Sequence, residues 1–447
     1  MLINSRLYSR MHCRSLLPER RRANWSICHT TGAARFLCTI ERRRANSNCR
    51  SNALARRIPR TGRAAPNANR CSERDRKMDN ALEGITVLEV GTMTPGKFTG
   101  FLLAGWGASS VRIERPGTTT DEPISDEDLT LNRGKRSITL NLRSAEGRDI
   151  LLQLAARADV FMESYRPGTA KKLGIDADSI RTVNPDLVYC SLSGFGQSGP
   201  DRLRTAYDLN IQSETAFSRL LAGRSEPAVP DTYLADSVSG LMAAFAIAAA
   251  LRKREVSGKG SVLDLGVQES LFSLLAISHG IRREADPPLE MQAAYGIFKT
   301  SDGTPISLGV ARPASANALF GHLGRPDLAE IGLQRGVAGA EARRFLTQAL
   351  AEKPAHHWIK TLIPLGVEIA PVNSVADAYR NEQLVDRSMV IETNHPAAGP
   401  LQQIGIPGVD ARNLEPAPHI GADTDAILKE LEFEPDAIDK LRADDVI

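Results

Sequence analysis

Little in this sequence points to a bound metal, a disulfide scaffold or a membrane. Six cysteines occur in 447 residues, and five of them, Cys13, Cys28, Cys38, Cys49 and Cys71, fall within the first 77; Cys190 stands alone in the rest. No C-x-x-C pair and no zinc-type His/Cys spacing is present, so neither a metal centre nor a disulfide framework is expected. No G-x-x-x-x-G-K-S/T loop occurs, which excludes a P-loop nucleotidase, and the lack of a G-x-S-x-G elbow weighs against a serine hydrolase. The longest apolar run beyond residue 77 covers 241–251. That is well short of the roughly 20 residues that cross a bilayer, so a soluble protein with no membrane partner is expected.

Charge of one sign is missing from the amino-terminal stretch. Residues 1–77 hold 18 Arg and one Lys against Glu19, Glu41, Glu73 and Asp75, a balance of +15; the whole chain is +3, so the remainder carries −12. An acidic body disfavours nucleic acid as a partner. The basic stretch has few acids and little apolar periodicity, and disorder is expected for it. A transit peptide is one reading, since such peptides are Arg- and Ser-rich. The runs Arg20–Arg22 and Arg42–Arg44 are clustered rather than spread along a helix face, which favours translated upstream sequence, with Met78 as the working start. The first reading implies a mitochondrial location, the second a cytoplasmic one. A nucleic-acid-binding arm is weaker still, because only Tyr8, Trp25 and Phe36 lie among the arginines.

From residue 84 onward strand and helix signals alternate. Strands are expected over 85–90, 110–114, 137–142, 160–163, 187–192 and 262–265, and helices over 95–106, 145–156, 167–173, 237–252 and 269–277. Such alternation predicts an α/β, doubly wound parallel sheet covered on both faces. After about 292 the texture changes: 295–299 and 306–310 flank the turn Ser301-Asp302-Gly303 as a hairpin, and short helices follow. The expected organisation is a large α/β domain over 78–291, a small α+β domain over 292–390, and a tail over 391–447, with a helix at 424–431, returning to the large domain.

Gly194-Phe-Gly-Gln-Ser-Gly199 matches G-x-G-x-x-G after a strand. The dinucleotide fingerprint also needs a helix opening there and an acid about 20 residues on; Pro200-Asp-Arg follows instead, so a strand-to-loop turn is the better reading. His356 and His357, beside Trp358, are read as surface or packing residues. Asp236, at the start of an Ala-rich helix, either caps that helix or acts as a nucleophile kept ionised by the helix's positive end. Tyr207 and Asp208 allow both packing or capping and functional roles. Arg115, Lys135, Arg136, Arg143, Arg166, Lys171 and Lys172 fall near strand ends, where open α/β sheets bind ligands, and would suit phosphates if they converge.

Several ordered stretches resemble the class III CoA-transferase family of CaiB/BaiF type, which includes formyl-CoA transferase, carnitine CoA-transferase and the α-methylacyl-CoA racemases. They are LEGITVLEV at 82–90, VRIERPG at 111–117, NRGKRSITLNL at 132–142, ADVFMESYRPG at 158–168, NPDLVYCSLSGFGQSGP at 184–200, ADSVSG at 235–240 and YGIFKTSDG at 295–303. The resemblance implies a Rossmann-like large domain built from both chain ends and two subunits interlocked as a homodimer. It makes Asp236 the nucleophile, with Asp208 and Tyr207 beside it. Coenzyme A would lie on Met93, Thr94, Arg115, Leu140, Asn141, Leu142, Arg143, Ser164, Tyr165, Arg166, Lys172, Arg204, Thr205 and Ala206.

The family's chemistry implies no metal and no permanently bound cofactor: acyl-CoA and a free carboxylic acid are substrates. CoA transfer through a mixed anhydride on Asp236 is the expected activity, with backbone N–H groups near Gly240 or in the small domain stabilising oxyanions. Thr94 and Asp208 stand where formyl-CoA transferases have Gln and Glu, and 284–294 lacks the glycines of their mobile loop. Tyr207 stands where the racemases have His, and a phenol, with a reference pKa of about 10, is a poor general base at neutral pH. An α-methylacyl-CoA epimerase and a silent CoA-binding protein remain the alternatives. A chain beginning at Met78 is expected to be as soluble and active as the full chain; loss of folding on that truncation, by circular dichroism, would show that 1–77 matters to the fold.

Overall fold

The computed structural model describes residues 80–117, 124–223, 226–281 and 290–447. The expectation of disorder for 1–77, and much of the glycine-poor segment 284–294, lie outside the described residues. Apolar β-branched runs stopped by Gly or Pro become β1 (Thr86–Val90), β2 (Ser109–Glu114), β3 (Lys135–Thr139), β4 (Val160–Glu163), β5 (Val188–Ser193) and β6 (Ser261–Gly266). They pair in parallel in the order β3-β2-β1-β4-β5-β6. The order reverses direction between β1 and β4, and at such a switch point the carboxyl ends of the strands leave a crevice.

Helices cover both faces. On one face α1 (Thr94–Gly105) and the 24-residue α8 (Leu234–Ser257) pack with α9 (Val267–Ser273) over Val87, Val160, Val188, Cys190 and Leu192. Burial pushes the Cys190 thiol up to about 12, so it stays protonated and apolar in character. On the other face α3 (Ala145–Arg157) and α5 (Ala177–Val183) meet Leu88, Val111, Ile138 and Phe161. Between these lie α2 (Asp126–Leu131), α4 (Thr169–Leu173), α6 (Asp208–Glu214) and α7 (Phe217–Ala222). Each fully buried Leu, Ile or Phe contributes about 1.5–3 kcal/mol.

The α8 helix is longer than the sequence suggested at both ends and extends well past the 241–251 run. Among the described residues it is the helix long and apolar enough, by length and composition, to cross a membrane. Its Ala235, Ala243, Ile247 and Leu251 side is buried in the core over β5, whereas Leu241, Met242 and Phe245 are exposed.

A separate apolar cluster forms from residues 293–369, around Phe298, Leu319, Phe320, Leu346 and Trp358. It covers the antiparallel sheet of β7 (Tyr295–Phe298), β8 (Ile306–Gly309) and β9 (Ile369–Pro371). His357 rests edge-on against Trp358 there and does not line the cleft described below. The tail contains a hairpin that the pattern reading missed, β10 (Val390–His395) and β11 (Gly399–Ile404). Ile391 and Ile406 pack on Phe101 and Leu102 of α1.

The last two helices, Thr424–Glu430 and Pro435–Ala443, join the main core through Ile427, Leu428 and Ile438. This segment also seals the outer edge of β3. Ser137 N–H donates to the Asp423 carboxylate (2.8 Å), Thr139 N–H to the Thr424 hydroxyl (3.1 Å), and Asn141 N–H to the Val446 carbonyl (2.8 Å). An otherwise open strand edge is thereby satisfied.

Two of the basic residues singled out in the sequence stand apart from the others. Lys135 and Arg136 are not at the carboxyl edge of the sheet: β3 starts at Lys135, two residues earlier than the apolar pattern suggested. Lys135 Nζ is buried, 2.7 Å from Glu89 Oε2 and 2.9 Å from the Lys97 carbonyl. Burial pulls the ammonium down to about 8 against the upward pull of Glu89. Arg112 adds bonds to Glu114 (2.9 Å) and Asn132 (3.0 Å) in the same layer. Arg136 instead pairs with Glu430 on the far side (2.8 Å).

The pair fits only because residue 100 of α1 is glycine; a Cβ there would overlap the Glu89 carboxylate and lie 2.9 Å from Lys135 Nζ. Gly100→Ala is therefore expected to destabilise by about 1–3 kcal/mol despite alanine's better helix propensity. Urea denaturation checks this, and a neutral or stabilising change would show that the pair can move aside.

Candidate active site

The site is built on the first turn of α8. Every helix start leaves unpaired N–H groups, and Tyr233, the residue before α8, offers them no side-chain acceptor. Asp208, at the start of α6, supplies it instead. Its Oδ1 accepts from Ala235 N–H (2.7 Å) and Asp236 N–H (3.1 Å). Its Oδ2 accepts from the Gln212 amide, which also donates to the Thr232 carbonyl (3.0 Å). Asp208 is buried, and it caps α8 rather than its own helix.

Asp236 is therefore not the cap. It sits in the first turn of α8, half-buried, and its carboxylate accepts no hydrogen bond from any described residue. Burial pushes its pKa up to about 7, aided by the negative charges of Asp208 and Glu127. This corrects the expectation of a carboxylate kept ionised by the helix end. The cap and desolvation outweigh the helix dipole, because the Asp208 carboxylate already sits on the N–H groups that would have favoured the charge.

Gly240 needs a second correction. It is the seventh residue of α8, so its N–H is committed within the helix and cannot serve an oxyanion. Its role is close packing: a Cβ would come within 2.8 Å of the Phe98 ring and 3.0 Å of the Pro95 carbonyl. Thr99 ties the crossing, donating to the Pro95 carbonyl (2.7 Å) and lying 3.2 Å from that of Gly240. The start of α1 is thus held against the start of α8.

A cleft of about 460 Å³ opens where these elements meet, at the carboxyl ends of β1, β4 and β5. Of the residues singled out in the sequence, Met93, Thr94, Ser164, Tyr165, Arg166, Arg204, Thr205, Ala206, Tyr207, Asp208 and Asp236 all line it. Gly91, at φ +112°, turns the chain so closely over Ser164 that a side chain would collide with the Ser164 hydroxyl. Thr94 Oγ1 lies 3.3 Å from Glu127 Oε2, which also takes Lys97 Nζ (2.8 Å, to Oε1). Tyr207 stands at the mouth, largely exposed. Arg204 is neutralised by Asp201 (3.0 Å) and Glu214, whereas Arg166 and Arg202 have no acidic partner among the described residues.

Arg115, Leu140, Asn141, Leu142, Arg143 and Lys172 do not line the cleft. Arg115 and 140–143 directly follow β2 and β3, along the same carboxyl edge. Arg115 is near enough for its charge to act on Tyr165. Leu140 and Leu142 are buried in the core, leaving only their backbone to a ligand; Asn141 bonds the Asp445 carbonyl (3.2 Å) and Arg143 N–H (3.2 Å). Lys172 lies in the last turn of α4. The sequence reading missed Ser193 and Arg202, which line the cleft, and Glu127 and Gln212, which act on its acids. Ser193 was findable from its place at a strand's carboxyl end. Glu127 and Gln212 carried no local signal.

The description CoA-transferase family III matches residues 82–424. The succinyl-CoA:glutarate CoA-transferase of Mus musculus is 29% identical over 396 residues, covering 82% of this chain and 90% of its own length. The α-methylacyl-CoA racemase of Homo sapiens is 30% identical over 383 residues, covering 82% and 97%. A crystal structure of a CAIB/BAIF family protein from Brucella suis superposes with a TM-score of 0.66 at 28% identity, covering 79% of this chain and all of that one. With a six-stranded parallel sheet, a cleft at its switch point and a match across most of its length, this chain belongs to CoA-transferase family III.

Proposed function

We propose that the protein transfers coenzyme A from an acyl-CoA thioester to a free carboxylic acid, with Asp236 as covalent nucleophile. The observation that carries this reading is the Asp236 carboxylate itself, without hydrogen-bond donors and open to the cleft. A carboxylate oxygen attacks the thioester carbonyl and expels CoA as thiolate, giving a mixed anhydride. The thiolate attacks the aspartyl carbonyl, and the donor acid leaves. The acceptor carboxylate repeats these steps in reverse order, leaving as its CoA ester and restoring Asp236. No net proton is consumed, and the covalent route divides the transfer into successive displacements at one enzyme carboxylate.

The acceptor or donor acid in this reading is a dicarboxylate. Arg166 and Arg202 supply positive charge to the cleft that no described acid neutralises, and the mouse relative's name pairs succinyl-CoA with glutarate. A guanidinium suits a second, non-reacting carboxylate. Arg115 and Arg143, beyond the cleft along the same sheet edge, and Lys172 in α4 are assigned to the CoA phosphates. A homodimer belongs to the same reading, supported by the exposed Leu241, Met242 and Phe245 of α8, a face apolar enough to be covered by a second copy. The separate cluster over 293–369 supports a small domain there, set apart from the large domain over 78–291.

Asp236→Asn is expected to lower turnover on the order of 10³-fold or more while leaving CoA binding intact; surviving turnover would refute the nucleophile. Hydroxylamine quenching during turnover, followed by mass spectrometry, is expected to mark the Asp236 peptide. Because the carboxyl must be ionised to attack and titrates at about 7, kcat/KM is expected to rise with pH through 7 and level off above it. A flat profile between pH 5 and 8 would contradict this. In a donor and acceptor panel, dicarboxylic acids are expected to exceed monocarboxylic acids of equal length at least ~10-fold, a ratio Arg202→Ala lowers. Exchange of an α-hydrogen with solvent deuterium, without a second acid, would instead favour racemase chemistry.

A further inference from the structure

Gln212 is fully buried, yet its Oε1 accepts no hydrogen bond from any described residue. Only the donor end of the amide is used. It lies one helical turn after Asp208 on α6 and donates both to Asp208 Oδ2 and to the carbonyl of Thr232, two residues before α8 begins. One amide thus ties together the acid that caps α8 and the chain that enters it. A buried glutamine that leaves its own oxygen unpaired is costly to keep for packing alone, since an apolar side chain of similar length would fill the space without that loss.

We propose that Gln212 is a positioning residue for the Asp236 carboxylate: it holds one oxygen of Asp208 so that the other stays on the two N–H groups of the first turn of α8. The proposal rests on Asp236 being the reacting carboxylate, and its thermodynamic part can be tested without that chemistry.

The charged groups around the pair are few. Glu127 faces Asp236 from α2 but is engaged by Thr94 and by Lys97, which also pairs with Asp128. Arg204, in the loop before α6, is engaged by Asp201 and Glu214. From α9, Gln268 bonds Glu214 (2.9 Å) and Glu269 bonds the Gly266 N–H (2.8 Å). Arg166 and Arg202 reach the cleft from loops. Asp208 has no ion-pair partner among the described residues, so its charge is held by the two α8 N–H groups and the Gln212 amide.

Remove the amide donor and Oδ2 is left buried and unpaired. Rotation of the Asp208 carboxylate away relieves that cost. It draws the carboxylate off Asp236 and frees the first turn of α8, so Asp236 holds its proton less tightly and sits less accurately.

Gln212→Met, close in length but without a donor, is expected to move the midpoint of the kcat/KM profile about one pH unit below that of the parent. It should lower kcat ~10-fold or more with little change in KM for acyl-CoA. Gln212→Glu is expected to behave differently. Protonated, the introduced carboxyl donates as the amide does; ionised, it repels Asp208. Relative to the parent, activity should then be kept at low pH and fall away as pH rises, a descending limb that neither the parent nor Gln212→Met shows.

The proton on Asp236 is also followed without catalysis. Its raised pKa weakens the fold as pH climbs from the ordinary aspartate range through 7, so Asp236→Asn gains Tm over that interval. In the Gln212→Met background the gain should shrink and its midpoint fall. If both Gln212 variants lose Tm and kcat while every pH midpoint stays put, Gln212 is merely structural and the proposal is overturned. If hydroxylamine fails to mark Asp236 but the Tm midpoint moves, the positioning role stands and the transfer reading falls. If Asp236 is marked and the midpoint does not move, the reverse holds. Should Gln212→Met fail to fold, the descending limb of Gln212→Glu decides alone, and its absence refutes the proposal.

Discussion

An acid borrowed from one helix to finish another governs this site. The Asp208 carboxylate fills the unpaired N–H groups at the start of α8, 27 and 28 residues along the chain. That single arrangement fixes where the first turn of α8 sits relative to α6, takes up the positive end of its dipole, and places a second carboxylate beside Asp236. Had Asp236 capped its own helix, it would be hydrogen-bonded, acidic and inert. Displaced from that duty and buried, it keeps its proton up to about 7. The capping of the helix start and the ionisation of its third residue are coupled through the same carboxylate, beside the larger effect of burial.

Behind the cleft the sheet imposes a second condition. Glu89 and Arg112 stand in register on neighbouring strands, and Lys135 reaches them from the first position of β3. This charged layer lies under α1 at Gly100, while four residues earlier α1 presses on Ser164 through Gly96 and on α8 through Pro95. A change in the layer would be felt at the cleft as a shift of Met93 and Thr94. Buried ion pairs of this kind add little net stability against an apolar replacement, but removing one member leaves a buried charge unpaired. Their effect here is to fix the seat of a helix whose amino end forms one wall of the site.

The strands under the core were legible because each is a short apolar run ending at Gly, Pro or a polar cluster, and their parallel order follows from the helical spacers between them. The β3 boundary was misplaced because Lys135 and Arg136 look like loop residues; the partner that buries Lys135 is 46 positions away. The hairpin of β10 and β11 escaped notice in a stretch rich in proline. At the site, Asp236 was visible as an acid heading an Ala-rich helix, but the sequence left open whether it caps that helix, and its ionisation was misjudged. Both depend on Asp208 and Glu127, neighbours that periodicity cannot see. The activity itself came from ordered motifs shared with a family, not from composition or spacing. The GxGxxG stretch was correctly set aside: β5 ends before it, and no helix opens until α6.

The closing of β3 by the chain's last residues has a consequence for how the protein comes to be made. Ser137, Thr139 and Asn141 direct their N–H groups outward, and their acceptors are Asp423, Thr424 and Val446. While the polypeptide is still emerging from the ribosome, all six strands of the main sheet can already pair, but the rim stays bare until residues 423–446 have followed. A nascent sheet with an open rim is a template for sticking to its neighbours. A chain cut short before Asp423 would lack all three acceptors and leave that template exposed, so such a loss would act on solubility before it touched the chemistry.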